Sequence, residues 1–196
     1  MSGDEAGDIR DGMPFVGGRL WIDLVNSAPR AFGDFLATPE GWARWAAAAG
    51  PAGAAFHVPP DGAEAEAARE LRHALAGLFE DLSRERAPTQ AAVDQLNHQL
   101  ENVTVRRRIE RRDGGLDVHE YLSGVQSPLA AVADDVADFI RAYEPARMRH
   151  CSEPSCTLVF YDTSRNGARR WCSMALCGNR HKVRNHRARK ASFSCE

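Results

Sequence analysis

Apolar positions along this chain recur mostly at helical spacing. Ala68, Leu71, Leu75, Leu78, Phe79 and Leu82 form one stripe opposite a charged face, the pattern of a long amphipathic helix. Pro88 ends it, and Thr89 can cap a second helix carrying Val93, Leu96 and Leu100. Thr38-Pro39 is a helix start, with Trp42, Trp45, Ala46 and Ala49 at i, i+3, i+4 and i+7. Ser127-Pro128 opens another, with Leu129, Val132, Ala133, Val136, Phe139, Ile140 and Tyr143 on one side and Pro145 as terminator. Residues 103–112 and 116–122 alternate like strands across Asp113-Gly114-Gly115, which predicts a hairpin. Leu20 to Val25 is a compact apolar run followed by the turn-prone Asn26-Ser27. Periodicity leaves strand and helix open there, and a buried strand is the expectation. Residues 50–62, rich in Gly, Pro and Ala, read as a loop.

Composition narrows the class. Hydrophobic residues make up 43% of the 196, enough to bury a core. No run approaches the roughly 18 apolar residues of a membrane span. The acidic, Gly-rich start has neither the basic nor the apolar region of a signal peptide, so residues 1–14 are expected to be disordered and the protein cytoplasmic. The net charge of −2 conceals a division. Residues 1–146 hold 14 Lys/Arg against 24 Asp/Glu, a net −10, whereas residues 147–190 hold 11 against 2, a net +9. A basic segment of that size is a candidate for a polyanion partner. Arg106, Arg107, Arg108, Arg111 and Arg112 lie on the hairpin, where a solvated sheet face is the expectation.

All five cysteines follow residue 150. Cys151 and Cys156, then Cys172 and Cys177, form two close pairs separated by a loop of fifteen residues. Each pair can offer two thiolates from one tight turn, as tetrahedral zinc requires. Asn166-Gly167 is a hairpin turn expected to pair residues 158–161 with 168–171. Arg180, Arg184 and Arg187, at i, i+4 and i+7, predict a helix starting near Cys177. A knuckle, a hairpin, and a ligand pair feeding a helix make a treble-clef-like zinc finger. His150, His181 and His186 compete as ligands, but a Cys151/Cys156/His181/His186 set leaves Cys172 and Cys177 unused. Cys195 lies outside both pairs and is expected to be a free thiol. Four thiolates close the coordination shell, and only Glu153 and Asp162 are carboxylates nearby, so one structural rather than catalytic zinc is expected.

The stretch Cys151-x4-Cys156, Phe160-x-Asp162-x-Ser164-Arg165, Arg169-Arg170-Trp171-Cys172-Ser173-Met174, Cys177-Gly178-Asn179-Arg180 and Lys182 resembles the CGNR zinc finger over residues 147–190. Leu20-Trp21-Ile22-Asp23-Leu24-Val25-Asn26-Ser27 resembles the opening of the ABATE domain that precedes this finger in the family. The resemblance implies a bacterial stress-induced transcription regulator. It also suggests that Gly178 allows close approach at the metal and that Asn179 caps the following helix.

The expected fold class is therefore α+β. A mostly helical N-terminal domain with a small β-hairpin spans residues 15–146, the zinc finger 147–190 and a tail 191–196, with a fragment ending near Ala146 expected to fold alone. Arg165, Arg169, Arg170, Arg180, Lys182, Arg184, Arg187, Arg189 and Lys190 are the candidate nucleic-acid contacts, duplex DNA being the expected partner. The N-terminal domain is left for sensing a small-molecule effector or for forming a homodimer. RNA binding or protein interaction is the alternative. No nucleophile elbow, phosphate loop or metalloprotease motif occurs, so no enzyme is expected.

Overall fold

The computed structural model describes residues 8–50, 56, 59–101, 103–112, 114–123 and 127–184, with the side chains of Val105 and of residues 119–123 outside that description. Cys195, the tail 191–196 and most of the expected loop 50–62 fall outside it. Among the described residues, five helices carry the N-terminal part: α1 (Leu20–Val25), α2 (Pro39–Ala49), α3 (Gly62–Ser83), α4 (Gln90–Leu100) and α5 (Pro128–Phe139). Three two-stranded antiparallel sheets accompany them: β1 (Ile9–Arg10) with β2 (Met13–Pro14), β3 (Thr104–Arg112) with β4 (Gly115–Ser123), and β5 (Met148–His150) with β6 (Val159–Tyr161). No helix among the described residues is long and apolar enough to cross a membrane.

The capping signals act as expected. Thr38 Oγ1 accepts from Gly41 N at 3.1 Å, Thr89 Oγ1 from Ala92 N at 3.3 Å, and Ser127 Oγ from Leu129 N at 3.2 Å. Each satisfies one amide that the first turn leaves free. The stripe of α3 is buried from Ala65 to Leu82. Ile140 departs from its predicted stripe: α5 ends at Phe139 and leaves Ile140 exposed.

Two expectations need correction. The run Leu20–Val25 is a helix, not a strand. Trp21, Ile22 and Leu24 are all fully buried because α1 is surrounded by α3, α5 and β6. A helix buried all round loses the amphipathic period that would reveal it. Residues 8–14, expected to be disordered, form the β1–β2 hairpin. Asp11 and Gly12 both take positive φ, as a two-residue hairpin turn requires. Met13 is buried, Phe15 stacks on Trp45 at 5.9 Å, and Arg44 pairs with Asp11 at 2.8 Å.

Asp23 is a buried acid on α1. Its Oδ1 accepts from Gly17 N at 2.7 Å, tying the incoming strand to the helix. Burial lifts its carboxyl to about 7, against the opposing pull of the Gly17 amide. Between its ordinary value of 3.8 and about 7, the folded chain holds a proton that the unfolded chain has released. This group's contribution therefore falls as pH rises through that window. Asp23→Asn keeps an acceptor oxygen and removes the charge. The melting temperature of the variant, relative to the parent, should rise from about pH 4 to about pH 8. Parallel curves would contradict this role.

The finger packs into the N-terminal part. Met148 and Val159 belong to the N-terminal core, while Val16 belongs to the finger's own small core. Asn26, 3% exposed, clamps β6 from both sides: Nδ2 donates to Val159 O at 2.8 Å, and Val159 N donates to Oδ1 at 3.0 Å. Tyr161 N donates to Gly17 O at 2.8 Å. A side chain at Gly18 would meet Tyr161 O at 2.9 Å, so this close approach needs glycine.

Candidate metal centre and its basic surface

The two cysteine pairs reach one point by different local devices. In the first, Cys156 N bonds to Glu153 O at 2.8 Å, closing the turn that brings Cys151 and Cys156 together. Cys151 is anchored at the end of β5, its N–H on Leu158 O at 3.0 Å. In the second pair, Ser173 caps a π-helical turn, Met174–Gly178, which continues as α-helix over 179–184. Ser173 Oγ accepts from Ala175 N at 3.1 Å, and this turn carries Cys177 back toward Cys172. The cap is thus Ser173, and Asn179 lies inside the helix rather than at its start. A Cβ at Gly178 would meet Met174 Sδ at 2.5 Å and Trp171 Cδ1 at 3.3 Å, so a side chain there would displace the flexible end of the exposed Met174 and press on Trp171.

Cys151, Cys156, Cys172 and Cys177 place their sulfurs within 4.8 Å of one another. Cys156 and Cys172 are 3.8 Å apart, Cys172 and Cys177 3.5 Å. Thiolates about 2.3 Å from a tetrahedral zinc have sulfur–sulfur edges of about 3.8 Å, so the cluster has the dimensions of one zinc site. All four are free thiols. Cys172 N also points at Cys151 Sγ, 3.4 Å away. The charges fit a cation as well. Hydrogen bonds from Cys156 and Cys172 hold Cys151 down to about 2. The bond with Cys151 pushes both Cys156 and Cys172 up, and burial lifts Cys177 to about 12. Alone, the cluster favours one thiolate among four sulfurs. A bound zinc would stabilise the remaining thiolates, so uptake must release protons.

Both nearby carboxylates are held by other protein groups, although Glu153 Oε2 is buried without a hydrogen-bond partner among the described residues. Burial works to raise Asp162, but bonds from Ser164 and from Arg169 N, the latter at 2.7 Å, hold it below the usual range. Asp162 therefore organises the loop 162–169. Glu153 is nearly buried and is held below the usual range by the Arg184 guanidinium. The closed thiolate shell and committed carboxylates leave a structural metal site.

The loop between the ligand pairs differs from expectation. β6 pairs with β5, in register Met148↔Tyr161 and His150↔Val159, and not with residues 168–171. The Asn166-Gly167 turn does form, with Gly167 at φ +58 and its N–H on Ser164 O at 3.2 Å. The chain then leaves the strand direction because Asp162 accepts from Arg169 N.

The predicted contact residues separate into groups. Arg165, Arg170, Arg180 and Lys182 are exposed. Arg170 lies over Trp171 at 5.2 Å, and Trp171 packs on His181 at 4.4 Å, joining loop and helix into one surface. Arg169 is committed elsewhere. Its guanidinium lies 4.3 Å over Phe160 and donates to Trp171 O, Val16 O and Cys172 O. Arg184 is exposed but ion-paired with Glu153. Arg187, Arg189, Lys190 and His186 lie outside the described residues. Neither described histidine joins the metal site: His150 contacts Glu80 at 2.9 Å, and His181 contacts Trp171 and Arg184. Asn26, Val16 and Arg169 have structural roles the sequence did not disclose. The scarcity of large apolar residues in the finger was the available hint that it must borrow a core.

These features define a class: an α+β protein whose small zinc finger, built on four cysteines, is docked into a helical domain. Comparison with known families makes the assignment specific. Residues 18–143 match ABATE, the family described as "Putative stress-induced transcription regulator", and residues 147–190 match the CGNR zinc finger. The ABATE match alone covers more than half of the chain, which belongs to that family and carries the CGNR finger. A search of curated proteins finds no match.

Proposed function

We propose that this chain is a bacterial, cytoplasmic transcription regulator that binds duplex DNA through its zinc finger and has no enzymatic activity. The observation that carries the reading is the group Arg170, Arg180 and Lys182, exposed around the four-cysteine cluster within a segment of net +9. Guanidinium forks suit phosphates and guanine edges. Zinc would fix the loop holding Arg170 and the helix holding Arg180, so both are presented without loss of side-chain support. Knuckle, loop and helix follow the treble-clef order, with the helix from Met174 set near the groove. The N-terminal domain, at net −10, then serves regulation rather than DNA contact.

Fluorescence anisotropy tests this with the zinc-loaded full chain, a random-sequence duplex and a single-stranded RNA of equal length. Tighter binding to the duplex, weakening steeply with salt, is expected. Preference for the RNA would favour the RNA-binding alternative. Absence of salt-dependent binding to either would favour a protein-interaction module.

A further inference from the structure

We infer that the β3–β4 ribbon is a dimerisation arm, packing its apolar face against the same face of a second copy about a two-fold axis parallel to the strands. Ile109 and Val118 are direct cross-strand partners, and Leu116 lies two residues along the same face. All three are open to solvent, at 67%, 57% and 78% exposure. No other element of the described chain makes more than marginal contact with either strand. A nine-residue, two-stranded ribbon is marginal in water without something covering one face. Three large apolar side chains left together on it mark the uncovered face.

The charges choose the occupant. On the other face Arg108 lies near Glu110 at 3.8 Å and Arg112 near Asp117 at 3.7 Å, so arginines there are compensated within the ribbon. By register the apolar face also carries Arg107 and Arg111 beside Ile109, so its partner must offer carboxylate as well as apolar surface. On this face β3 places Arg107 and Arg111, whereas β4 places Glu120 in register with Arg107. The strands are thus opposite in sign. A two-fold axis parallel to them lays β3 of one copy over β4 of the other, with Val118 over Ile109. An axis across the strands would lay like charge on like. An isologous contact satisfies both copies with one surface. Stacked pairs of ribbons bury both apolar faces at the usual spacing of about 10 Å. The inference is independent of the nucleic-acid reading. Where that reading holds, the dimer presents two fingers and favours targets with repeated half-sites.

Sedimentation velocity of the zinc-loaded full chain tests the arm. Expected is a species of twice the 21.5 kDa chain mass that dissociates on dilution. Ile109→Asp/Val118→Asp should sediment as the single chain while keeping the parent's zinc content and helical circular dichroism. Ile109→Thr/Val118→Thr keeps strand propensity and should also weaken the dimer. A parent that stays single at chain concentrations of ~100 µM overturns the inference, as does a dimer undiminished in both variants. A single-chain parent whose Asp variant loses duplex affinity would also overturn it, assigning the ribbon to nucleic acid instead.

Discussion

A Cys172→Ser variant is expected to lose its zinc entirely, and with it the ordered state of the finger. Cys172 is fully buried and lies within 3.8 Å of both Cys156 and Cys177, so no water can substitute without opening the cluster. Structural zinc sites in small fingers are worth about 10–16 kcal/mol at neutral pH. The finger's own core is small: among the described residues, Val16, Leu158 and Phe160 are the buried apolar side chains that join its cysteines. Without metal, that burial cannot offset the ordering cost of a loop this long. The damage should also travel. β6 supplies Val159 to the main core and to the Asn26 clamp, so the whole chain should melt at lower temperature. Elemental analysis should read one zinc per parent chain and none in the variant. Full zinc retention in a Cys172→Ser/Cys177→Ser double variant would overturn the ligand set.

Arg169→Ala should be the most damaging change among the basic residues, and for a reason other than DNA contact. Its guanidinium satisfies the carbonyls of Val16, Trp171 and Cys172 while lying on Phe160. Leaving a buried carbonyl unpaired costs about 1–3 kcal/mol, and three are at stake here. Arg169→Lys cannot reproduce the fork and should recover little. A lowered melting temperature together with easier zinc loss to a chelator is expected. Arg170→Ala, at an exposed position one residue away, should leave both unchanged. If Arg169→Ala melts like the parent yet loses sequence preference on DNA, Arg169 reads bases after all.

What could be read beforehand divides by range. Helices α2 to α5 announce themselves through local signals: Thr38, Thr89 and Ser127 as caps, and stripes such as Leu71, Leu75, Leu78 and Leu82. The four ligands were legible because zinc imposes a spacing on the sequence. The failures involve partners distant in the chain. Leu20–Val25 is enclosed by α3, α5 and β6, so its apolar residues show no one-sided stripe and its helical period is hidden. The pairing of β6 with β5 depends on Asp162 redirecting the backbone through Arg169 N. Asn26 and Val159 are 133 residues apart, and nothing local to either shows that they meet. Met148 and Val159 pack into the N-terminal core from beyond Ala146, and nothing local to either residue announces that placement. The basic residues could be listed but not sorted, because only tertiary structure separates the committed Arg169 and the paired Arg184 from the exposed Arg170, Arg180 and Lys182.

The central claim is that zinc holds these last three side chains as a surface for duplex DNA. The direct measurement is the salt dependence of duplex affinity for the zinc-loaded parent and for an Arg170→Ala/Arg180→Ala/Lys182→Ala variant. Each lost phosphate contact lowers the slope of log affinity against log salt by about 0.9. A variant that keeps its zinc and its melting temperature, binds more weakly, and has a slope smaller by up to about 2.7 is the predicted result. A slope and affinity equal to the parent's would contradict it.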